Sequence, residues 1–257
     1  MNTLERALIE KVGRENGWEN IIESHDTAVV FASARHQALV TVNSSNLGNL
    51  FFEVSSELIK QELIRSLLIS SLDNGGIIVS DIHQLALFLH RTAELAQSLP
   101  NQAAHTYAER VKETLERTLS NGTEIERLVK QRVGQDTFRE ALMDYWAGAC
   151  AVNGISLPAV LRASHAKPWA DCESDDERLD VFNGFLLSAN LDALFDRGLI
   201  TFDDAGRLIY SPKLTPQHRT TLQLHDGLSL RWLAPRHKPY LAWHRDKVFQ
   251  VARVRGL

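Results

Sequence analysis

Apolar residues at Leu4, Leu8, Ile9 and Val12 recur at helical spacing and predict an amphipathic helix over residues 3–14. Two runs rich in β-branched residues, AVVFAS at 28–33 and ALVTV at 38–42, flank Arg35 and His36 and predict a hairpin. Phe51, Phe52 and Val54 predict a third strand beside them. From Ser56 to Leu72 the stretch LIKQELIRSLLISSL returns to the helical period, and Asp73-Asn74-Gly75-Gly76 supplies the turn that ends it. Ser80-Asp81 then caps a helix expected to run to about Ser98, where Pro100 stops it.

Residues 103–119 and 123–132 read as two charged helices separated by Ser120-Asn121-Gly122, the best candidate for a domain boundary. The chain therefore divides into residues 1–122 and 123–257. The first part is a helix-rich α+β region with a small sheet and no chemical motif. Recognition of a target, assembly or dimerisation, and simple support of the second half all fit it. After Gln135 the texture changes. FREALMDYW predicts a helix ending near Gly148, CAVNGISL a turn at Asn153-Gly154, and VLRASHAKPW a strand entering a loop closed by Pro168-Trp169. The acidic loop DCESDDERLD leads into a short strand, FNGFLLS, and a helix from Ala189 to Phe195 ended by Gly198. LITF and RLIYS around Asp203-Asp204-Ala205-Gly206 predict a second hairpin.

Composition narrows the class. With 44% hydrophobic and 23% charged residues the chain is an ordinary globular one, not a disordered tail, a collagen or a disulfide scaffold. No apolar run approaches the roughly 18 residues of a membrane span, and the charged start MNTLERALIEKVGREN does not read as a signal peptide. Cys150 and Cys172 are expected to be free thiols in a reducing compartment, which points to the cytoplasm. The formal net charge of −4 hides a division: residues 1–130 carry −5, 131–206 carry −7 and 207–257 carry +8. A basic segment of that kind suits a polyanion, since Lys and Arg replace the counterions of a phosphate backbone. The acidic middle suits one only if a cation is bound there.

That middle segment holds the candidate chemistry. Residues 160–200 read strand, loop, strand, helix, with His165 closing the first strand, Asn183 opening the second, and Asp192 and Asp196 on the helix. The two aspartates stand at i and i+4, on one helix face about one turn apart. Carboxylates so placed repel each other unless a cation lies between them, and a hard divalent metal takes oxygen ligands. Ser164 and His165, adjacent on a strand, point to opposite faces and are not a hydrolase pair. Asp180, beside Arg178, reads as a structural ion-pair partner, and Trp146 and Trp169 as core.

The stretch LRASHAKPWADCESDDERLDVFNGFLLSANLDALFDRGLI at 161–200 resembles the HNH endonucleases, most closely the bacterial restriction-type branch. The resemblance reaches upstream through Arg132-Val133-Gly134-Gln135, Phe138-Arg139 and CAVNG at 150–154, and downstream through YLAWHRDKVF at 240–249. It covers about half the chain and rests on order and spacing as well as residue type. It implies a C-terminal ββα-metal finger within an α+β fold. His165 matches the general base that takes a proton from the attacking water, and an unperturbed imidazole suits that role at neutral pH. Asn183 matches the asparagine that braces the loop carrying the base. Asp192 matches the third family position, a metal ligand that is often histidine. Asp196 falls where colicin-type nucleases place a second helix ligand. Ser164 stands where Asp or His commonly binds the metal. These oxygen donors shift the expected ion from Zn²⁺ or Ni²⁺ towards Mg²⁺ or Mn²⁺.

The activity implied is hydrolysis of phosphodiester bonds in DNA, expected to be double-stranded, in restriction or anti-phage defence. Two fingers, and so a homodimer, would be needed to cut both strands; a monomer would nick. Arg132, Gln135 and Arg139 on one helix face, and His244, Arg245 and Lys247 in the basic segment, are the candidates for phosphate contact. Packing against the finger is the competing role for the first three. Three alternatives stay open: a DNA-binding HNH protein without activity, an RNA-degrading toxin, and a nuclease switched on by a protein partner or signal through the first region.

Overall fold

The computed structural model describes residues 1–44, 50–70, 72–73, 76–99, 102–117 and 123–251. The chain is an α+β protein of two compact units, dividing between Gln102 and Ala103. The Ser120–Gly122 segment that the sequence suggests as a boundary lies outside the described residues. The helix before it, Gln102–Arg117 (α4), falls almost wholly in the second unit, where Arg110 pairs with Glu140 at 2.6 Å.

In the first unit, helix α1 (Thr3–Glu15) is followed by strands β1 (Asn20–Ser24), β2 (Ala28–Ser33), β3 (His36–Ser44) and β4 (Leu50–Val54). Then come α2 (Glu57–Leu67), β5 (Leu72–Asp73), β6 (Gly76–Val79) and α3 (Ile82–Ser98). The strands form one antiparallel sheet in the order β1-β2-β3-β4-β6-β5. Alternation is clean in β2 and β3: Val29, Phe31, Ala38, Val40 and Val42 are buried while Gln37 and Leu39 face outward. That is the pattern of a sheet packed on one face. All three helices contact the sheet, and the Trp18 indole donates to Leu89 O of α3 at 2.9 Å.

The expected hairpin around Arg35-His36 and the Asp81 cap are present: the Asp81 carboxylate accepts from the N–H groups of His83 and Gln84. The second helix differs from expectation. It stops at Leu67, where Leu68 adopts φ 52°, and Leu72–Asp73 pairs with Gly76–Val79 instead of continuing the helix. Strand pairing prevails because β6 docks on β4 and buries Ile77 and Val79 completely or nearly so. Periodicity over so short a run as GIIV does not separate these outcomes.

In the second unit α5 (Thr123–Tyr145) is one continuous helix, where the sequence suggested two segments. After a 3₁₀ turn at Pro158–Val160 come β7 (Leu161–His165), α6 (Asp175–Leu179), β8 (Gly184–Ser188) and α7 (Ala189–Asp196). They are followed by β9 (Ile200–Phe202), β10 (Leu208–Tyr210), α8 (Pro216–Thr221) and α9 (His237–Lys247). β7 and β8 pair antiparallel from Leu161↔Ser188 to His165↔Gly184, and α7 follows β8 without a loop. Both α5 and α7 contact this hairpin, so every residue of β8 is buried. An aromatic core of Tyr145, Trp146, Phe182, Phe185 and Trp232 lies beneath it, with Trp146 and Trp232 stacked 4.6 Å apart. No helix among the described residues is long and apolar enough to cross a membrane.

Ile77→Ala is expected to destabilise the first unit by about 2–5 kcal/mol, the usual cost of truncating a closed core residue. Ile78→Ala, on the half-buried face of the same strand, is expected to cost clearly less. Urea unfolding midpoints of the two variants check the register of β6.

Candidate active site

Ser164 and His165 leave β7 on opposite faces. Ser164 turns towards α7 and its hydroxyl donates to Asp192 Oδ1 at 2.5 Å. His165 turns towards α5, where its ring stacks on Phe138 with centroids 3.8 Å apart and planes 13° from parallel. Trp169 meets the His165 ring edge-on at 6.0 Å and sits against α5 at Gly134, where a Cβ would fall 2.2 Å from the indole.

The protonation state of His165 follows from its second contact. Nε2 lies 2.8 Å from Arg178 O. A carbonyl only accepts, so Nε2 carries the proton and Nδ1 keeps the lone pair. Burial disfavours the charged ring and pulls its pKa down to about 4, against a smaller upward pull from the Arg178 carbonyl. At neutral pH the group is a neutral imidazole with one basic nitrogen.

The Arg178 carbonyl is in turn held by a braced loop. Asn183, fully buried, accepts from Lys167 N at 2.8 Å through Oδ1. Its Nδ2 donates to Lys167 O at 3.1 Å, Glu177 O at 3.2 Å and Cys172 Sγ at 3.3 Å. Arg178 donates to Cys172 O and Trp169 O and pairs with Asp175, while Lys167 pairs with Glu177 at 2.8 Å. The Asn183 side chain thus spans the loop from Lys167 to Glu177, the residue before Arg178. The partner of Asp180 is not Arg178: it pairs with Arg236 at 3.4 Å and accepts from the Tyr240 hydroxyl at 3.3 Å. Trp169 is half-buried, a wall of the site and not core.

His165, Trp169 and Asp196 line one cavity of about 360 Å³, together with Ala163, Ala166 and Pro168. Asp196 keeps part of its side chain open to solvent. Desolvation by the surrounding protein pushes its carboxyl up to about 6, Asp192 adds like-charge repulsion, and Arg197 pulls back.

Residues 150–203 match the family described as HNH endonuclease. The second unit carries an HNH endonuclease domain. No curated protein matches the chain. The match covers both strands and the helix of the finger, and includes His165, Asn183, Asp192 and Asp196.

HNH nucleases generally use a divalent metal. Among the described residues no three His, Cys, Asp or Glu side chains are grouped to hold an ion. His165, Asp192 and Asp196 are accordingly not such a group in this structure. What this HNH domain offers is Asp192, Asp196 and the Ser164 hydroxyl, an all-oxygen set. Such a set fits Mg²⁺ or Mn²⁺, which are held by one or two carboxylates and keep water or substrate phosphate for the remaining positions.

The expected phosphate contacts fare unequally. Arg132 and Gln135 are exposed on α5. Arg139 donates to Leu161 O at 2.6 Å and Pro158 O at 2.9 Å, tying α5 to the entrance of β7. His244 is 1% exposed and both ring nitrogens are engaged, so it is not a surface contact. Arg245 donates to Phe202 O and pairs with Asp204 at 2.7 Å. Lys247 is exposed and pairs with its neighbour Asp246. Sequence reasoning missed the stacking role of Phe138, though the apolar series Gly134, Phe138, Leu142 and Tyr145 marks the face that carries it. The Arg178 carbonyl is a backbone atom and has no sequence signal.

The His165 and His244 rings, both held down near 4 by burial, are expected to stay neutral in an NMR titration from pH 8 to about 4. In the unfolded chain they take up protons from about 6.5. Their contribution to stability is therefore lost as pH falls from 6.5 to 4. Asp196 acts in the opposite sense. Its folded carboxyl titrates near 6 against an ordinary 3.8, so stability drops as pH rises through that window. Asp196→Asn is expected to melt higher than the parent at pH 8 in EDTA, with no gain at pH 4; calorimetry at the two pH values checks it.

Proposed function

We propose that the HNH domain is a divalent-metal-dependent endonuclease that hydrolyses phosphodiester bonds in DNA. The observation that carries the reading is the neutral His165 imidazole, its Nε2–H spent on Arg178 O, lining the same cavity as Asp196. His165 Nδ1 takes a proton from water, and the water oxygen attacks phosphorus. The bond to the sugar 3′-oxygen breaks and that oxygen takes a proton from solvent, leaving a 5′-phosphate and a 3′-hydroxyl. Asp192 and Asp196, with the Ser164 hydroxyl beside them, would hold the metal, whose chemistry there is neutralisation of charge on the phosphate and the leaving oxygen. Asn183 acts by keeping the loop and the Arg178 carbonyl in place. Arg132, Gln135 and Lys247 remain as exposed groups for the nucleic-acid backbone.

Duplex DNA in a bacterial cytoplasm, and restriction or anti-phage defence, are proposed by analogy with the family alone. Cleavage of both strands by this reading takes two fingers and therefore a homodimer. The first unit, on the same reading, recognises the target or brings in a partner. A DNA-binding HNH protein without activity is favoured by one observation: Ser164 already gives its hydroxyl proton to Asp192.

Purified protein with supercoiled plasmid and Mn²⁺ or Mg²⁺ is expected to nick or linearise the DNA. His165→Ala is expected to lose about 10²–10⁴-fold in rate, the usual worth of a general base, while still binding DNA. Tight binding with intact plasmid in both metals would support the inactive protein, and faster cleavage of RNA would support a toxin.

A further inference from the structure

A helix end leaves its last carbonyls without helical partners. At the end of α7 the carbonyls of Phe195, Arg197 and Gly198 are met by residues 244–250. His244 donates Nε2–H to Phe195 O at 3.1 Å, the Gln250 side chain donates to Arg197 O at 2.6 Å, and the Gln250 backbone N–H donates to Gly198 O at 2.9 Å. The His244 ring also lies flat on Phe195, centroids 3.9 Å apart and planes 1° from parallel, and accepts the Thr201 hydroxyl at Nδ1 at 3.0 Å. Gly198, at φ 63°, lets this segment close in: a Cβ there would fall 2.0 Å from Val248 O. Gln250 is itself anchored, since Ser211 donates to its carbonyl and Lys213 to its side-chain oxygen.

Asp196 lies between two of these held carbonyls and shares its cavity with His244 and Val248. Its repulsion from Asp192 would be relieved by unwinding the last turn of α7. The contacts from residues 244–250 oppose that movement. We propose that residues 244–250 form a clamp that positions Asp196 beside Asp192 for a divalent cation, with His244 as the positioning residue. The proposal rests on the metal-dependent reading of the same site.

Three variants test it: His244→Leu, which keeps apolar bulk and removes both hydrogen bonds; His244→Gln, which can donate and accept; and Gln250→Ala. Each full-length protein is titrated with Mn²⁺ alone, free ion being followed by electron paramagnetic resonance, and melted in EDTA. Loss of an outer partner weakens metal binding by about 10–100-fold. His244→Leu is expected in that range, with His244→Gln recovering a large part. Gln250→Ala, expected several-fold weaker, carries the test if the leucine variant does not fold. Unchanged Mn²⁺ affinity in the variants, with or without a lower melting temperature, would overturn the clamp and leave the metal site standing. A glutamine variant as weak as the leucine one would overturn the role given to the hydrogen bonds. Wild-type protein that takes up no Mn²⁺ would overturn the metal reading and the clamp together.

Discussion

The contact between the His165 ring and the Arg178 carbonyl is the constraint from which the site follows. It assigns the ring proton to Nε2, and it does so only while the loop between β7 and β8 stays closed. Closure depends on Asn183, whose amide uses its acceptor and donor together on Lys167, Glu177 and Cys172. Stacking on Phe138 then fixes the plane of the ring and shields one of its faces from water. A neutral imidazole with a defined tautomer is produced by packing and one backbone oxygen, with no carboxylate partner required.

On the other side of the cavity the problem is repulsion. Asp192 and Asp196 share a helix face, and the upward shift of Asp196 records both lost solvent and the neighbouring charge. Ser164 relieves part of this by donating to Asp192. The end of the helix is tied down by residues that follow about fifty positions later. Residues 244–250 thus meet the carbonyls at the end of this acidic helix.

The positive charge of residues 207–257 acquires a different meaning in this light. Arg231 donates to Trp146 O and Ala149 O, Arg236 pairs with Asp180, and Arg245 pairs with Asp204. Those cations hold the acidic middle of the chain together. A net charge counted along the sequence measures composition, whereas attraction for a polyanion depends on which cations remain at the surface.

Much of the architecture was legible in the residues. The hairpin around Arg35-His36, the Asp81 cap, and the order strand, loop, strand, helix from 160 to 200 are local patterns, set by side-chain alternation, capping and turn chemistry within a few positions. His165, Asn183, Asp192 and Asp196 stand out as candidates for a related reason, since their spacing is written in one short stretch that resembles the family and lies within the matched residues. Pairings between distant segments were not legible. The strand at Gly76–Val79 exists because β4 accepts it, His244 is buried because Phe195 offers a flat face, and Arg139 turns inward because two carbonyls wait there. Local chemistry proposes which groups can react; which of them face each other, and which are consumed in holding the chain, depends on packing energies between residues far apart in order.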